Sequence, residues 1–261
     1  MNPLPMRPVQ SKASHSMKRL VLCRHGETSA NYKKLLQGRG IDLPLNERGV
    51  VQAKSLAERL RTETVARIRR YFKPEGMSTT RHRAQETAKI VRQHHPAATW
   101  FENPDLAEIS WGAWEGTTAT EDVESLLRNW DEGDYEACAP GGESPFVVEE
   151  RSVSLIYNLI RARQEDNLVF ILHGRLLRII MSSLIHRNLS QMDSFRHHNC
   201  NINVLDVEIM DPASSSQLSS EVQPVDQETR RATGSALSHP QDMKITATIL
   251  DDCTHLTDYL L

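Results

Sequence analysis

Two histidine-glycine pairs carry the chemistry this sequence offers. Arg19-Leu20-Val21-Leu22-Cys23 is a short, largely apolar run that stops abruptly at Arg24-His25-Gly26-Glu27-Thr28, and a second run, Asn167 to Leu172, stops at His173-Gly174. A single histidine at the end of an apolar run is more often a hydrogen-bonded structural residue, so it is the matched pair that raises a catalytic reading. An imidazole is about half neutral near pH 6.5, and the neutral ring is a nucleophile in water. Its phosphoramidate hydrolyses readily, which suits a covalent phosphoryl relay at neutral pH. Such a relay also needs cationic donors around the phosphoryl oxygens.

The elements that must position these residues follow from the hydrophobic pattern. Short apolar runs bounded by polar residues read as buried strands, and parallel strands bring both histidines to one rim. Asn46 can cap a helix through Val50, Ala53, Leu56, Ala57 and Leu60, whose spacing of three and four marks one buried face. Further helices are expected over Arg81 to His94, Glu121 to Trp130, Glu143 to Arg163 and Arg175 to His186. Val65 to Thr79 should hold a strand, but Arg67, Arg69, Arg70, Lys73, Pro74 and Gly76 make a poor one. Asn201 to Ile209 alternates as a strand, and Lys244 to Leu250 reads as an edge strand. Recurrence of strand, turn and helix predicts a mixed, mostly parallel sheet. Residues 1–18 hold Pro3, Pro5 and Pro8 and are read as a disordered leader. The prolines oppose the amphipathic helix of a transit peptide. Residues 19–261 are read as one domain, interrupted by a Ser-, Gln- and Pro-rich disordered loop over 211–242.

Composition excludes several functions. With 31 Lys+Arg against 34 Asp+Glu the formal charge is −3, which offers no electrostatic bait for nucleic acid. The most apolar stretch, Leu168 to Ile185, is broken by His173, Gly174, Arg175 and Arg178, too soon for a membrane span. Cys23, Cys138, Cys200 and Cys253 are scattered without CxxC spacing, which argues against a disulfide framework and a zinc site and for a reducing, cytoplasmic setting. His94-His95 and His197-His198 are read as surface histidines, since adjacent residues face apart on regular elements. Gly38-Arg39-Gly40 is not a dinucleotide loop, because Leu43 takes the third glycine's place; no Walker pattern is present either. Neither cofactor nor metal is expected.

The segment Leu22-Cys23-Arg24-His25-Gly26-Glu27-Thr28, followed by Asn31 and Gln37-Gly38, resembles the signature of the histidine phosphatase superfamily, also called phosphoglycerate mutase-like. The likeness continues in order through Asp42 to Gly49 with Gln52-Ala53, Arg83-Ala84-Gln85-Glu86-Thr87-Ala88, Leu106-Ala107-Glu108 with Gly112 and Trp114-Glu115-Gly116, Pro140 to Ser144, and Asn199-Cys200-Asn201-Ile202. It spans roughly Arg19 to Val207. The resemblance implies a three-layer α/β/α sandwich and a metal-independent phosphomonoesterase acting on a small phosphorylated metabolite, with inorganic phosphate as product. His25 would be the nucleophile, Arg24 and Arg83 would clamp the phosphoryl oxygens, His173 would add a hydrogen bond, and Glu108 would protonate the leaving oxygen and later activate water. Asn31, Gln37, Gly38, Gly174 and Arg175 would complete the substrate site.

Arg175 stands where the family often has a small or neutral residue. It could bind a second anionic group, fold outward or plug the pocket. A mutase on this fold retains its product with a longer insert carrying extra basic residues, whereas here Glu108 to Gly142 is short and acidic, with Arg128 its only cation. That favours hydrolysis over the alternatives, a phosphoglycerate mutase-type transferase or a silent binding protein.

Overall fold

The computed structural model describes residues 16–67, 75–79, 81–96, 98–210 and 221–256. Six strands form one sheet: β1 (Ser16–Arg24), β2 (Glu75–Ser78), β3 (Thr99–Glu102), β4 (Asn167–Leu172), β5 (Ile202–Ile209) and β6 (Met243–Asp252). Their order is β3-β2-β4-β1-β5-β6; β1 to β4 run parallel, while β5 is antiparallel to both β1 and β6. Among the described residues the helices are α1 (Ser29–Tyr32), α2 (Glu47–Arg67), α3 (His82–Gln93), α4 (Glu121–Asp131), α5 (Pro145–Ala162), α6 (Gly174–His186) and α7 (Gln227–Thr233). None of them is long and apolar enough to cross a membrane.

The pleat explains the three layers. Alternate residues of β1 and β4 point to opposite sides. Leu20, Leu22, Leu168, Phe170 and Leu172 join the core under α4, α5 and α6, whereas Val21, Cys23, Val169 and Ile171 join the one under α2 and α3. Both faces are covered, so Asn167-Leu-Val-Phe-Ile-Leu172 is apolar throughout rather than alternating. Each fully buried leucine or isoleucine contributes roughly 1.5–3 kcal/mol. The register pairs Arg24 with Leu172, and the His25 N–H donates to Leu172 O at 2.9 Å, so both histidines leave the sheet at one level.

Three boundaries differ from the sequence reading. Residues 16–18, assigned to the leader, belong to β1: Lys18 is buried and its Nζ donates to Arg163 O at 2.7 Å and Glu165 O at 3.0 Å. Residues 1–15 lie outside the described residues. Within the stretch Val65 to Thr79 read as a weak strand, α2 continues to Arg67, β2 spans Glu75–Ser78, and residues 68–74 lie outside the described residues. The loop read as disordered over 211–242 is folded from residue 221 onward, and residues 211–220 lie outside the described residues. Asp226 caps α7, and Ser235, Ala236 and Leu237 are buried. Apolar packing of Ala236 and Leu237 into the main core is joined by polar anchors: fully buried Glu149 accepts from Ser235 Oγ at 2.8 Å and Ala236 N at 2.6 Å, and Arg161 forks onto Asp242 with two 2.9 Å bonds. A carboxylate 86 residues away leaves no trace in local composition.

Candidate active site

A cavity of about 220 Å³ opens at the carboxyl ends of β1 and β4. Its wall includes Arg24, His25, Asn31, Gln37, Gly38, Arg83, Glu108, Gly174 and Arg175. The structure thus brings together nine of the ten residues singled out from sequence. The tenth, His173, is fully buried rather than part of the wall, its ring centroid 5.2 Å from that of His25.

His25 is held by its own loop. Its Nδ1–H donates to Gly26 O at 2.7 Å, which places the lone pair on Nε2. The loop is pinned in turn: Gly26 N donates to Thr87 Oγ1 at 3.1 Å, and the Asn199 amide donates to His25 O at 2.9 Å. Burial first, then the Arg83 and Arg24 charges, drive the His25 pKa well below the ordinary histidine value, so the ring is neutral. The same causes, burial leading, act on His173. His173 Nε2 is hydrogen-bonded to Thr79 Oγ1 at 3.0 Å, and Thr79 Oγ1 also accepts from Arg81 N–H at 3.1 Å; in the tautomer that takes the threonine proton on Nε2, Nδ1 is the N–H nitrogen.

The guanidinium groups are held chiefly by backbone carbonyls. Arg24 donates to His197 O at 2.8 Å, and Arg83 donates to Ile41 O at 3.0 Å and Gly38 O at 2.9 Å, with the Asp42 carboxylate 3.6 Å away. Gly174 matters here because a Cβ at that position would stand only 3.3 Å from Arg24 Nε. Gly38 needs its glycine for another reason, a φ of +51°. Among the described residues, none partners the buried Arg24 Nε, Arg83 Nε or His173 Nδ1. Donors left unspent in this way cost free energy unless a ligand or solvent accepts from them.

Glu108 faces this positive group across the cavity. Its Oε1 accepts from Ile109 N at 3.0 Å and Leu176 N at 2.8 Å, and its Oε2 from Arg175 N at 3.1 Å, so the carboxyl sits on the amino end of α6. Asn31 closes α1 as a capping box with Thr28, and Gln37 Oε1 accepts from Thr28 Oγ1 at 3.1 Å. The Arg175 guanidinium lies 5.2 Å above Trp130 and donates to Asp193 Oδ1 at 2.6 Å.

Three polar residues of the wall or its support escaped the sequence reading. Arg178 lines the cavity and donates to the same Asp193 Oδ1 at 2.8 Å; its offset of three from Arg175 on a helix was the available signal. Thr79 orients His173. His197, read as a surface histidine, is buried in the wall, because its ring takes a hydrogen bond from Asn201 Nδ2 at 3.1 Å on Nδ1 and its carbonyl holds Arg24. Burial, reinforced by Arg178 and Arg24, pulls its pKa down to about 3. His198 does remain exposed.

Four arginines and one carboxylate therefore surround a neutral imidazole whose free nitrogen is the lone-pair nitrogen. That arrangement can bind a tetrahedral anion and offer it a nucleophile. A profile described as the histidine phosphatase superfamily (branch 1) matches residues 20–215. The chain belongs to this superfamily. Within it, the chain is 27% identical over 193 residues to the protein named "Probable phosphoglycerate mutase GpmB" of Salmonella choleraesuis (strain SC-B67), covering 73% of this chain and 85% of that one. A mycobacterial glucosyl-3-phosphoglycerate phosphatase solved with VO3 superposes with a TM-score of 0.63 at 26% identity, covering 74% of this chain and 97% of that chain. YhfR of Bacillus stearothermophilus shares the fold at 23% identity and a TM-score of 0.63, covering 92% and 99%.

Proposed function

We propose that this member of the histidine phosphatase superfamily is a metal-independent phosphomonoesterase that works through a phosphohistidine on His25. The observation that carries this reading is the Nδ1–H to Gly26 O bond, which leaves Nε2 as nucleophile inside a wall of guanidinium groups. Nε2 attacks phosphorus as the ester P–O bond breaks, and Glu108, which must enter this step as the protonated carboxylic acid, gives its proton to the departing oxygen. Water then attacks the phosphoramidate, Glu108 takes the proton back, and the P–N bond breaks to release phosphate. Arg24, Arg83 and His173 Nδ1 supply the charge and donors that the equatorial oxygens need, so no step calls for a metal.

Hydrolysis is favoured over transfer because only Glu108 and Trp111 of the acidic segment 108–142 reach the cavity wall, which leaves little to retain a dephosphorylated product. Arg175 and Arg178 share one carboxylate between two cations and suit a substrate with a second acidic group, as in the phosphoglycerate-derived substrate named for the mycobacterial relative. The test is release of phosphate from a generic aryl phosphate in EDTA, with His25→Ala as control. Release should fall about a thousandfold or more in the variant. Release that survives the substitution rejects the mechanism, and transfer between phosphoglycerates without release selects the mutase.

A further inference from the structure

On the far side of the loop that carries His197, three more chemistry-bearing side chains meet. His198 faces Asp251 and Cys253, brought there by the antiparallel pairing of β5 with β6, in which Ile202 lies opposite Asp252. One donor atom from each of the three lies within 4.8 Å of the others. His198 Nδ1 is 2.8 Å from Asp251 Oδ2, and Cys253 Sγ is 3.9 Å from Asp251 Oδ1. Asp251 is held in this direction at a cost: its φ is +46°, a left-handed conformation, and its N–H donates to Asn203 Oδ1 at 2.9 Å. Solvent reaches the group, since the His198 side chain is 52% exposed and that of Asp251 22%.

Imidazole, carboxylate and thiolate are the donors that Zn²⁺ and its softer congeners select. Around a tetrahedral ion with bonds of roughly 2.0–2.3 Å, such donors stand about 3.3–3.8 Å apart, so small side-chain rotations suffice here. We propose that His198, Asp251 and Cys253 form a surface site for a Zn²⁺-class ion, with water as fourth ligand. Cys253 enters as the thiol, and its proton passes to solvent as the metal–sulfur bond forms. Spacing along the chain argues against a metal at His197-His198; the missing ligands come from the end of β6 and the residue that follows it.

The site is wired to the cavity. Asp251 Oδ1 also accepts from Asn201 Nδ2 at 2.8 Å; the Asn201 amide bonds His197 Nδ1, and its Oδ1 accepts from Arg24 N at 3.2 Å. An ion entering between His198 and Asp251 spreads their donor atoms by roughly half an ångström or more and draws on this network. This coupling, unlike the site itself, rests on the phosphatase reading.

The full chain titrated with Cd²⁺ should develop one equivalent of the ultraviolet thiolate-to-cadmium band. The band should be unchanged in Cys138→Ser and lost in Cys253→Ser. Zn²⁺ competing for this site should bind about tenfold more weakly or worse in His198→Gln and in Cys253→Ser. Metal-free melting temperatures equal to wild type establish that both variants fold; the Cys253→Ser exchange, which preserves side-chain shape, decides the matter if His198→Gln does not. A band that persists in Cys253→Ser, or equal Zn²⁺ affinity in wild type and variant, overturns the site. With an aryl phosphate as substrate, saturating Zn²⁺ should change KM severalfold in wild type but not in Cys253→Ser. An equal response in both overturns the coupling, and absence of hydrolysis in metal-free protein counts against the phosphatase reading rather than the site.

Discussion

The molecule buries two polar clusters built from the same kinds of residue, and they differ in how their hydrogen bonds are spent. Around Glu149, Oε1 accepts from Ser183 Oγ at 2.6 Å and Ser235 Oγ at 2.8 Å, and Oε2 accepts from Ala236 N. His239 completes that cluster, bonded to Ser235 Oγ at 2.9 Å and Tyr157 Oη at 3.1 Å. Each of these groups has a protein partner. At the cavity, by contrast, Arg24 Nε, Arg83 Nε, His173 Nδ1 and His197 Nε2 are buried with none among the described residues. Both clusters hold a histidine with a strongly lowered pKa, about 4 for His239 and about 3 for His197, each mainly through burial. A displaced pKa therefore does not separate a site from a structural knot. Unspent donors converging beside repelling cations do, because an anion that accepts from them offsets both costs at once.

If that distinction holds, substitutions in the two clusters must fail in opposite ways. Arg83→Lys keeps a cation but loses the fork that spans two carbonyls and the cavity. It should lower kcat/KM for an aryl phosphate about a thousandfold, some 4 kcal/mol in the transition state, with the urea midpoint close to wild type. A tenfold loss or less would show that a point charge suffices. Glu149→Ala strands three buried donors and should cost about 3 kcal/mol of stability by urea denaturation, while leaving KM and kcat within about twofold. A large change in KM without loss of stability would erase the contrast between the clusters.

The contrast also accounts for what could be read from the chain alone. β1 and β4 were legible because a strand covered on both faces must be apolar throughout, and Arg24, His25 and His173 were legible because they terminate those strands. Arg83 and Glu108 were placed by motif order, since one arginine on a helix and one glutamate in a loop carry no physical signature of their own. The fold of residues 221–242 was hidden because few apolar residues, Ala236 and Leu237 among them, anchor it beside a carboxylate on α5, and polar contacts between distant segments have no period. His197 was hidden for a related reason. Its burial follows from Asn201 and Arg24, not from any pattern around it.

Arg175 and Arg178 fall between the two extremes, since both donate to Asp193 Oδ1 while Asp193 Oδ2 is buried without a partner among the described residues. One carboxylate cannot discharge two cations, so a second anionic group on the substrate should bind here. Arg175→Ala should raise KM about tenfold, roughly 1.4 kcal/mol, for a phosphomonoester that also bears a carboxylate, and leave KM for an aryl phosphate unchanged. Equal KM values for the carboxylate-bearing substrate would assign Arg175 to packing on Trp130.

The smallest expected effect separates the clusters most directly. His25 and His239 both have folded pKa values below the unfolded value near 6.5, so the unfolded chain takes up protons first as pH falls. Their contribution to stability is complete above about pH 6.5 and is lost as pH drops toward the folded values, which for His239 is about 4. The causes differ beyond burial. His25 is depressed further by Arg83 and Arg24, whereas His239 is depressed further by Arg187. An anion held by Arg83 and Arg24 offsets their repulsion, so inorganic phosphate should raise the His25 midpoint, by about one unit, and leave His239 in place. Imidazole signals followed by NMR with and without phosphate measure both at once. Equal movement of the two rings would mean that phosphate acts on the whole protein, and unspent donors would then no longer distinguish the site from the knot.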